Sequence, residues 1–95
     1  MIELLLKNKV IVPDGVLVRE LAGESVLLNL NSESYFGLDE VGTRMWTVLI
    51  ASPSTEAAFD TLLTTYEVEP LQLRNDLHNF IEKLVDLGLL DVQAD

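Results

Sequence analysis

Cysteine is absent from this chain of 95 residues. That absence excludes disulfides, thiolate metal sites and cysteine nucleophiles together, and it is compatible with a reducing cytoplasm, where we expect the protein to lie. Histidine is nearly absent too, since His78 is the single one. A metal site would need at least two more ligands, and Asp76, Asn79 and Glu82 do not form a recognisable metal-binding spacing around it. We therefore predict no metal site and no cofactor.

Catalytic groupings are also missing. No side chain stands in a recognisable nucleophile–base pattern, and no glycine-rich phosphate loop is present. Many carboxylates, such as those of Asp39, Glu40, Glu67 and Glu69, lie at predicted turns or helix starts, where negative charge favours the helix dipole or solvent. The sequence therefore predicts that the protein is not an enzyme.

Positive charge is scarce, with six basic residues against sixteen acidic ones and a formal net charge of −10. The excess is uneven, because residues 1–38 carry −2 and residues 39–95 carry −8. Nucleic-acid affinity rests on clustered Lys and Arg, so we expect no nucleic-acid ligand and favour a basic or neutral partner. For most of these charges, solubility alone is an equally good explanation. The start, Met1–Lys7, is too short and too charged for a signal peptide or a membrane span.

Apolar residues make up 48% of the chain, which is enough for one core in a single domain over residues 1–95. Alternation and turn residues predict strands at Asn8–Val12, Val16–Leu21, Ser25–Leu30 and Ser34–Leu38. Their short links favour an antiparallel meander of three to four strands. In the strand Ser25–Leu30 one face is wholly apolar (Val26, Leu28 and Leu30). Leu27 interrupts the polar character of the other face, so we expect both faces to be partly covered.

From Asp39 the apolar period changes to that of a helix. Asp39 and Ser54 are predicted to cap the first and second helices, and Pro70 to open a third that ends at Gly88. The core positions predicted on the first and third helices are Val41, Met45, Trp46, Leu49, Leu73, Leu77, Phe80, Leu84 and Leu87. Strands at about 8–38 followed by three helices at about 39–87 predict an α+β, winged-helix-like domain.

An ordered set of short motifs resembles the PqqD family. The set comprises Val16–Leu21, Glu24–Leu30, Tyr35–Gly42, Trp46, Tyr66, Val68, Pro70, Phe80–Ile81, Leu84 and Gly88–Leu90. Each motif is weak alone, but together they span essentially the whole chain in the family's order and spacing. Asp39 stands where the family often has Asn, and both residue types cap helices well.

The resemblance implies a winged helix-turn-helix fold that binds the leader segment of a ribosomally made precursor peptide. In this family the leader pairs with the third strand of the sheet and lies against the third helix. A chain of this size is most similar to the stand-alone leader-binding proteins of lasso-peptide clusters. Their partners are a cysteine-type protease and an asparagine-synthetase-like, ATP-dependent cyclase. A pyrroloquinoline-quinone type of chaperone, presenting its peptide to a radical enzyme, is the alternative.

The residues themselves also favour strand addition. If Asn8–Val12 covers the first long strand, the free sheet edge is Ser34–Leu38, and such an edge can accept an incoming strand. Gly37 would permit close backbone approach, or would only ease the bend into the helix. The predicted peptide-binding residues are Leu28, Leu30, Ser34, Tyr35, Phe36, Gly37, Leu73, Arg74, Leu77, His78 and Ile81.

Two other functions remain open at this level. A transcription regulator would need basic residues on a recognition helix, whereas Thr55–Tyr66 contains Glu56 and Asp60 and no Lys or Arg. A small structural subunit without a peptide ligand is the second rival.

Overall fold

The computed structural model of the protein describes residues 9–93. In chain order the elements are β1 (Lys9–Ile11), β2 (Val16–Leu21), β3 (Glu24–Asn29), β4 (Ser34–Leu38), α1 (Glu40–Ala51), α2 (Thr55–Thr65), α3 (Pro70–Asp86) and β5 (Asp91–Gln93). Strands β2, β3 and β4 form an antiparallel meander, and the helices cover one of its two faces. The predicted α+β order of strands and then three helices is confirmed.

The first strand does not belong to the meander. β1 pairs antiparallel with β5, so that Val10 lies opposite Val92, and Asn8 lies outside the described residues. Leu89 and Leu90 are fully buried after α3, and this return of the chain into the core brings β5 beside β1. The expectation that Asn8–Val12 covers the first long strand is therefore wrong. Within residues 9–93 both edge strands of the meander, β2 and β4, have an unpaired side.

The face of β3 that carries polar residues is the one in the core. Leu27 is fully buried there, between two polar side chains that both have partners. The hydroxyls of Ser25 and Thr43 on α1 lie 2.7 Å apart, and Asn29 Nδ2 donates to the carbonyl of Gly88 over 2.7 Å. Because buried polar groups are tolerated when they are hydrogen-bonded, this face packs inward, and the face with Glu24, Val26 and Leu28 points outward.

Turn chemistry sets the register between β2 and β3. Leu21 lies opposite Glu24, so that Ala22 and Gly23 form a two-residue loop with φ values of 56° and 84°. Positive φ at both positions is typical of the type I′ turn, whose twist matches that of the flanking strands. This short link holds the two strands as a hairpin.

The predicted helix ends are confirmed. Asp39 Oδ1 accepts from the Gly42 amide over 2.8 Å, and Ser54 Oγ accepts from the Ala57 amide over 3.1 Å. Pro70 opens α3, and Gly88 follows the helix with φ of 74°. Beyond the cap, the amide of Leu89 donates to the carbonyl of Leu84 over 2.8 Å, which satisfies an otherwise free helical carbonyl. None of the helices in residues 9–93 is both long and apolar enough to cross a bilayer.

The core lies between the inner sheet face and the three helices. Its fully buried members are Leu27, Leu49, Ala58, Leu62, Leu77, Ile81, Leu84, Leu89 and Leu90, with Trp46 beside them. Trp46 is a core residue, as predicted. Val41 differs from prediction, because half of its side chain is exposed. The first turn of α1 therefore leaves an apolar side chain at the surface.

Two leucines of α3 form a matched test of this core. Leu77 is 0% exposed and Leu71 is 60% exposed. We expect Leu77→Ala to lower the free energy of unfolding by about 2–5 kcal/mol, because it leaves a cavity, and Leu71→Ala to change it by less than about 0.5 kcal/mol. Urea denaturation followed by circular dichroism measures both. Equal losses for the two variants would contradict the burial pattern.

Candidate peptide-binding groove

Strand β4 offers the better of the two open sheet edges. Within the part of the chain that the structure describes, no strand pairs with its outer side. Alternate residues of an antiparallel strand direct both N–H and C=O away from the neighbouring strand, so two or three residues of β4 have both groups free for a new strand. β4 contains no charged side chain, whereas β2 contains Arg19 and Glu20. Charged residues protect an edge strand against pairing.

An open groove of about 530 Å³ runs along the inner side of β4, between that strand, α1 and α3. Its apolar lining consists of Phe36, Val41, Met45 and Phe80, and its polar lining includes Asp76, Asn79 and Lys83. A mostly apolar concave surface with a few polar groups is typical of a ligand site. The groove lies directly beside the free edge of β4, because Phe36 belongs to both.

A second hollow of about 290 Å³ continues the groove toward the loop between α2 and α3. It shares Val41, Met45 and Asp76 with the first, and Tyr66, Val68 and Leu73 contribute further apolar surface. The partly exposed side chain of Val41 lines both hollows. The two together form one apolar trough along the first turns of α1.

Helical periodicity explains which side chains of α3 reach the groove. At 100° per residue, Asp76, Phe80 and Lys83 lie on one flank of the helix, next to the buried leucines. Lys83 Nζ lies 5.9 Å from the centroid of the Phe36 ring, within the range of a cation–π interaction. This contact bridges α3 and β4 at the groove mouth. The groove lining therefore includes one positive group, Lys83, and two carboxylates, those of Asp39 and Asp76.

The predicted residues of the strands divide between the two sheet faces. Phe36 lines the groove, and Ser34 is partly buried on the same inner face. Tyr35 and Gly37 are exposed on the outer face, and partly buried Leu28 also lies there. Leu30 is exposed directly after the end of β3. Those outer-face side chains lie across the sheet from the groove. Tyr35 and Gly37 can therefore offer backbone groups to a strand added at the β4 edge, but no side chain to the groove.

The predicted residues of α3 are placed differently from expectation. Leu77 and Ile81 are 0% and 1% exposed, so they belong to the core and do not form a groove wall. Aspartate at either position would bury a charge and disrupt the fold. Leu73 is buried as well, but it lines the second hollow. The spacing of apolar residues identified the buried face of α3 and could not indicate which flank adjoins β4.

Arg74 and His78 lie on the opposite flank of α3. The guanidinium carbon of Arg74 lies 5.1 Å from the centroid of the Phe59 ring on α2, and His78 Nε2 lies 3.5 Å from a carboxylate oxygen of Glu82. Neither lines the groove beside β4. Within residues 9–93, no cluster of three or more histidine or acidic side chains is placed to hold a metal ion.

Sequence reasoning missed part of the groove lining. Val41 and Phe80 had been predicted as core, while Asn79 and Lys83 had no predicted role. One feature of the sequence could have indicated these residues. Phe80 lies at the margin of the apolar stripe of α3, and Lys83, three residues later, lies on the same flank of the helix. A residue at the margin of a buried stripe is one that a neighbouring groove can share.

The sequence profile of the family described as coenzyme PQQ synthesis protein D (PqqD) matches residues 24–90. The chain belongs to the PqqD family. The matched region contains β3, β4, all three helices and therefore every groove residue of this PqqD protein. No curated protein matches the chain.

Two solved structures resemble this PqqD-family chain along nearly their whole length. TbiB1 in complex with the TbiA(beta) leader peptide is 34% identical, with a TM-score of 0.80, over 88% of this chain and 98% of that one. Lasso peptide synthetase B1 complexed with the leader peptide is 20% identical, with a TM-score of 0.78, over 87% and 98% of the two chains. The second match supports the shared fold alone.

Asp39 lies between β4 and α1 and also lines the groove. Its role as a helix cap can be tested by stability measurements that do not involve peptide binding. We expect Asp39→Ala to lower the free energy of unfolding by about 1 kcal/mol, because the Gly42 amide loses its acceptor. Asp39→Asn keeps an acceptor and should lie within about 0.5 kcal/mol of the original protein. Thermal melts of the two variants measure the difference, and a stable Asp39→Ala protein would argue against the cap.

Proposed function

We propose that this PqqD-family protein is a non-catalytic, cytoplasmic adaptor of lasso-peptide biosynthesis. It binds the leader of a ribosomally made precursor peptide as an additional strand on β4, with leader side chains in the groove between β4, α1 and α3. It then delivers the peptide to a cysteine-type maturation protease and an ATP-dependent cyclase. The observation that carries the proposal is the free β4 edge beside an apolar groove. A 34% identical relative that is bound to a leader peptide supports it.

Backbone pairing alone does not account for stable binding. About five strand hydrogen bonds contribute roughly 5 kcal/mol in total, at about 1 kcal/mol each. Association costs at least about 4 kcal/mol, and ordering a flexible peptide costs roughly 2–5 kcal/mol more. Apolar side chains in the groove must therefore supply the net affinity.

The shape of the groove indicates what those side chains are. Alternate residues of an added strand point to the inner face, so the leader should place apolar residues two positions apart, with the larger hollow beside Phe36 and the smaller one beside Tyr66. Each large apolar side chain that is buried adds about 1.5–3 kcal/mol. Two or three of them bring binding to about −8 kcal/mol, which is in the micromolar range.

The family match also fits a chaperone that presents its peptide to a radical enzyme in coenzyme PQQ synthesis. The lasso-peptide assignment is favoured because the 34% identical TbiB1 is bound to a leader peptide and lasso peptide synthetase B1, also bound to a leader peptide, has the same fold. A DNA-binding role has little support, because α2 contains Glu56 and Asp60 and no basic residue.

Val41 tests the groove with a matched control on the same helix. Val41 is 51% exposed and lines both hollows, while Ile50 is 41% exposed and lines neither. We expect Val41→Gln to weaken leader binding by about tenfold, through loss of about 1.5 kcal/mol of apolar contact, and Ile50→Gln to leave it within about twofold. Titration calorimetry with the leader of the precursor encoded in the same gene cluster measures both. Indistinguishable affinities would remove the groove from the proposal.

Strand addition itself has a distinct signature in the peptide. N-methylation of single leader residues should abolish binding at alternate positions and be tolerated at the positions between them, because only every second N–H faces β4. Fluorescence polarisation with a series of methylated leader peptides measures the pattern. A leader that tolerates methylation everywhere, or nowhere, does not bind as a regular edge strand.

A further inference from the structure

Lys83 is the one basic side chain that lines the trough formed by the two hollows. It lies in the last turn of α3, with its ammonium 5.9 Å from the centroid of the Phe36 ring. Neither hollow includes any other basic residue of the described chain, namely Lys9, Arg19, Arg44 or Arg74. In a protein with a formal charge of −10, a positive group is thus placed beside the free strand edge.

The charged groups of the larger hollow differ in whether the protein itself satisfies them. Asp39 Oδ1 accepts from the first turn of α1 over 2.8 Å, and Asp76 accepts from Gln72 Nε2 over 3.2 and 3.3 Å. In residues 9–93, no hydrogen-bond acceptor and no carboxylate binds the ammonium of Lys83, which is exposed. Lys83 is therefore the charged group of the groove that is free to bind a ligand.

Two structural roles explain part of the position of Lys83. The helix dipole favours a cation in the last turn of a helix, and the aliphatic stem of a lysine can cover an aromatic ring such as that of Phe36. Neither role supplies an acceptor for the ammonium. An acceptor from outside the chain would complete its hydrogen bonding.

Peptide binding would change the surroundings of this ammonium, and here the inference rests on the proposed strand addition. A leader strand on β4 would place every second side chain over the groove and displace water from Lys83. A charge that loses water is costly unless an opposite charge or an acceptor replaces that water. The apolar walls of Phe36 and Phe80 also strengthen the electric field within the groove. The charge of the covering side chain therefore matters more here than at an open surface.

We propose that Lys83 selects a leader that carries an acidic residue at the Phe36 end of the groove. The carboxylate of that residue accepts a charge-assisted hydrogen bond from the ammonium. A leader with Lys or Arg at the same position is rejected, because two positive groups would share one site. Lys83 is thus a specificity-determining residue, while apolar side chains of the leader supply the net affinity.

The course of α3 indicates where in the leader this acidic residue lies. Leu73 lines the smaller hollow and Lys83 the larger one, and the helix between them rises about 15 Å. An extended strand spans that distance in about four to five residues. The apolar leader residues therefore occupy the middle of the trough, and the acidic residue flanks them at the end away from Tyr66.

The test uses the full chain and the labelled leader of the precursor encoded in the same gene cluster, with fluorescence polarisation as the measure of affinity. Lys83→Glu reverses the charge in the groove. Arg44→Glu makes the same change at an exposed position of α1 that lines neither hollow. We expect Lys83→Glu to weaken leader binding at least about tenfold, and Arg44→Glu to stay within about twofold, because salt screens a distant charge. Lys83→Met keeps the aliphatic stem and should weaken binding about threefold to fivefold.

A charge swap separates recognition by Lys83 from an effect on folding. Each acidic residue of the leader is replaced by lysine in turn. One of these replacements should weaken binding to the original protein at least about tenfold, and should restore binding to the Lys83→Glu protein to within about threefold of the original pair. A protein that had lost its fold would not recover affinity for an altered peptide.

Several results would overturn the inference and leave the adaptor function standing. They are equal affinities of the Lys83→Glu and Arg44→Glu proteins, full affinity of the Lys83→Met protein, and a leader series in which no replacement restores binding to Lys83→Glu. Absence of leader binding by the original protein overturns the adaptor function instead.

Discussion

The architecture depends on the buried polar links made by the inner face of β3. Ser25 meets Thr43 on α1, and Asn29 binds the carbonyl of Gly88 at the end of α3. If β3 presented its other face, both polar side chains would have to find new partners, and Leu27 would leave the core. These links therefore decide which side of the sheet meets the helices. They also hold the end of α3 against the sheet, because Gly88 is the residue that terminates this helix.

The position of the groove follows from that orientation. With the mixed face of β3 inward, Phe36 on β4 points to the helical side and lines the groove with Phe80 and Val41. Val26 and Leu28 of β3 then point outward, on the same face as Glu24. A peptide strand on β4 would direct every second side chain to the groove, since side chains alternate between the two faces of a sheet.

Because β1 pairs with β5, it covers neither edge of the meander in residues 9–93, and the strand order alone does not distinguish β4 from β2 as an acceptor. Both β2 and β4 have a free side in the described chain, and charge together with the adjoining groove makes β4 the better acceptor. The sequence could not anticipate the β1–β5 pair, because three-residue strands carry too little alternation to reveal their partner. Pairing of such short segments is decided by burial of Val10 and Leu90 and not by local preference.

Local chemistry determined the elements of this protein. The helix caps at Asp39 and Ser54, the proline that opens α3, the glycine after it and the two-residue hairpin loop all act within a few residues, so they can be recognised along the chain. Tertiary structure alone decided the face of β3 and the flank of α3 that adjoins β4. A period of 3.6 residues indicates that a stripe is buried, but Leu77 in the core and Phe80 in the groove differ only in what packs beside them. Long-range contacts, which no local pattern records, make that distinction.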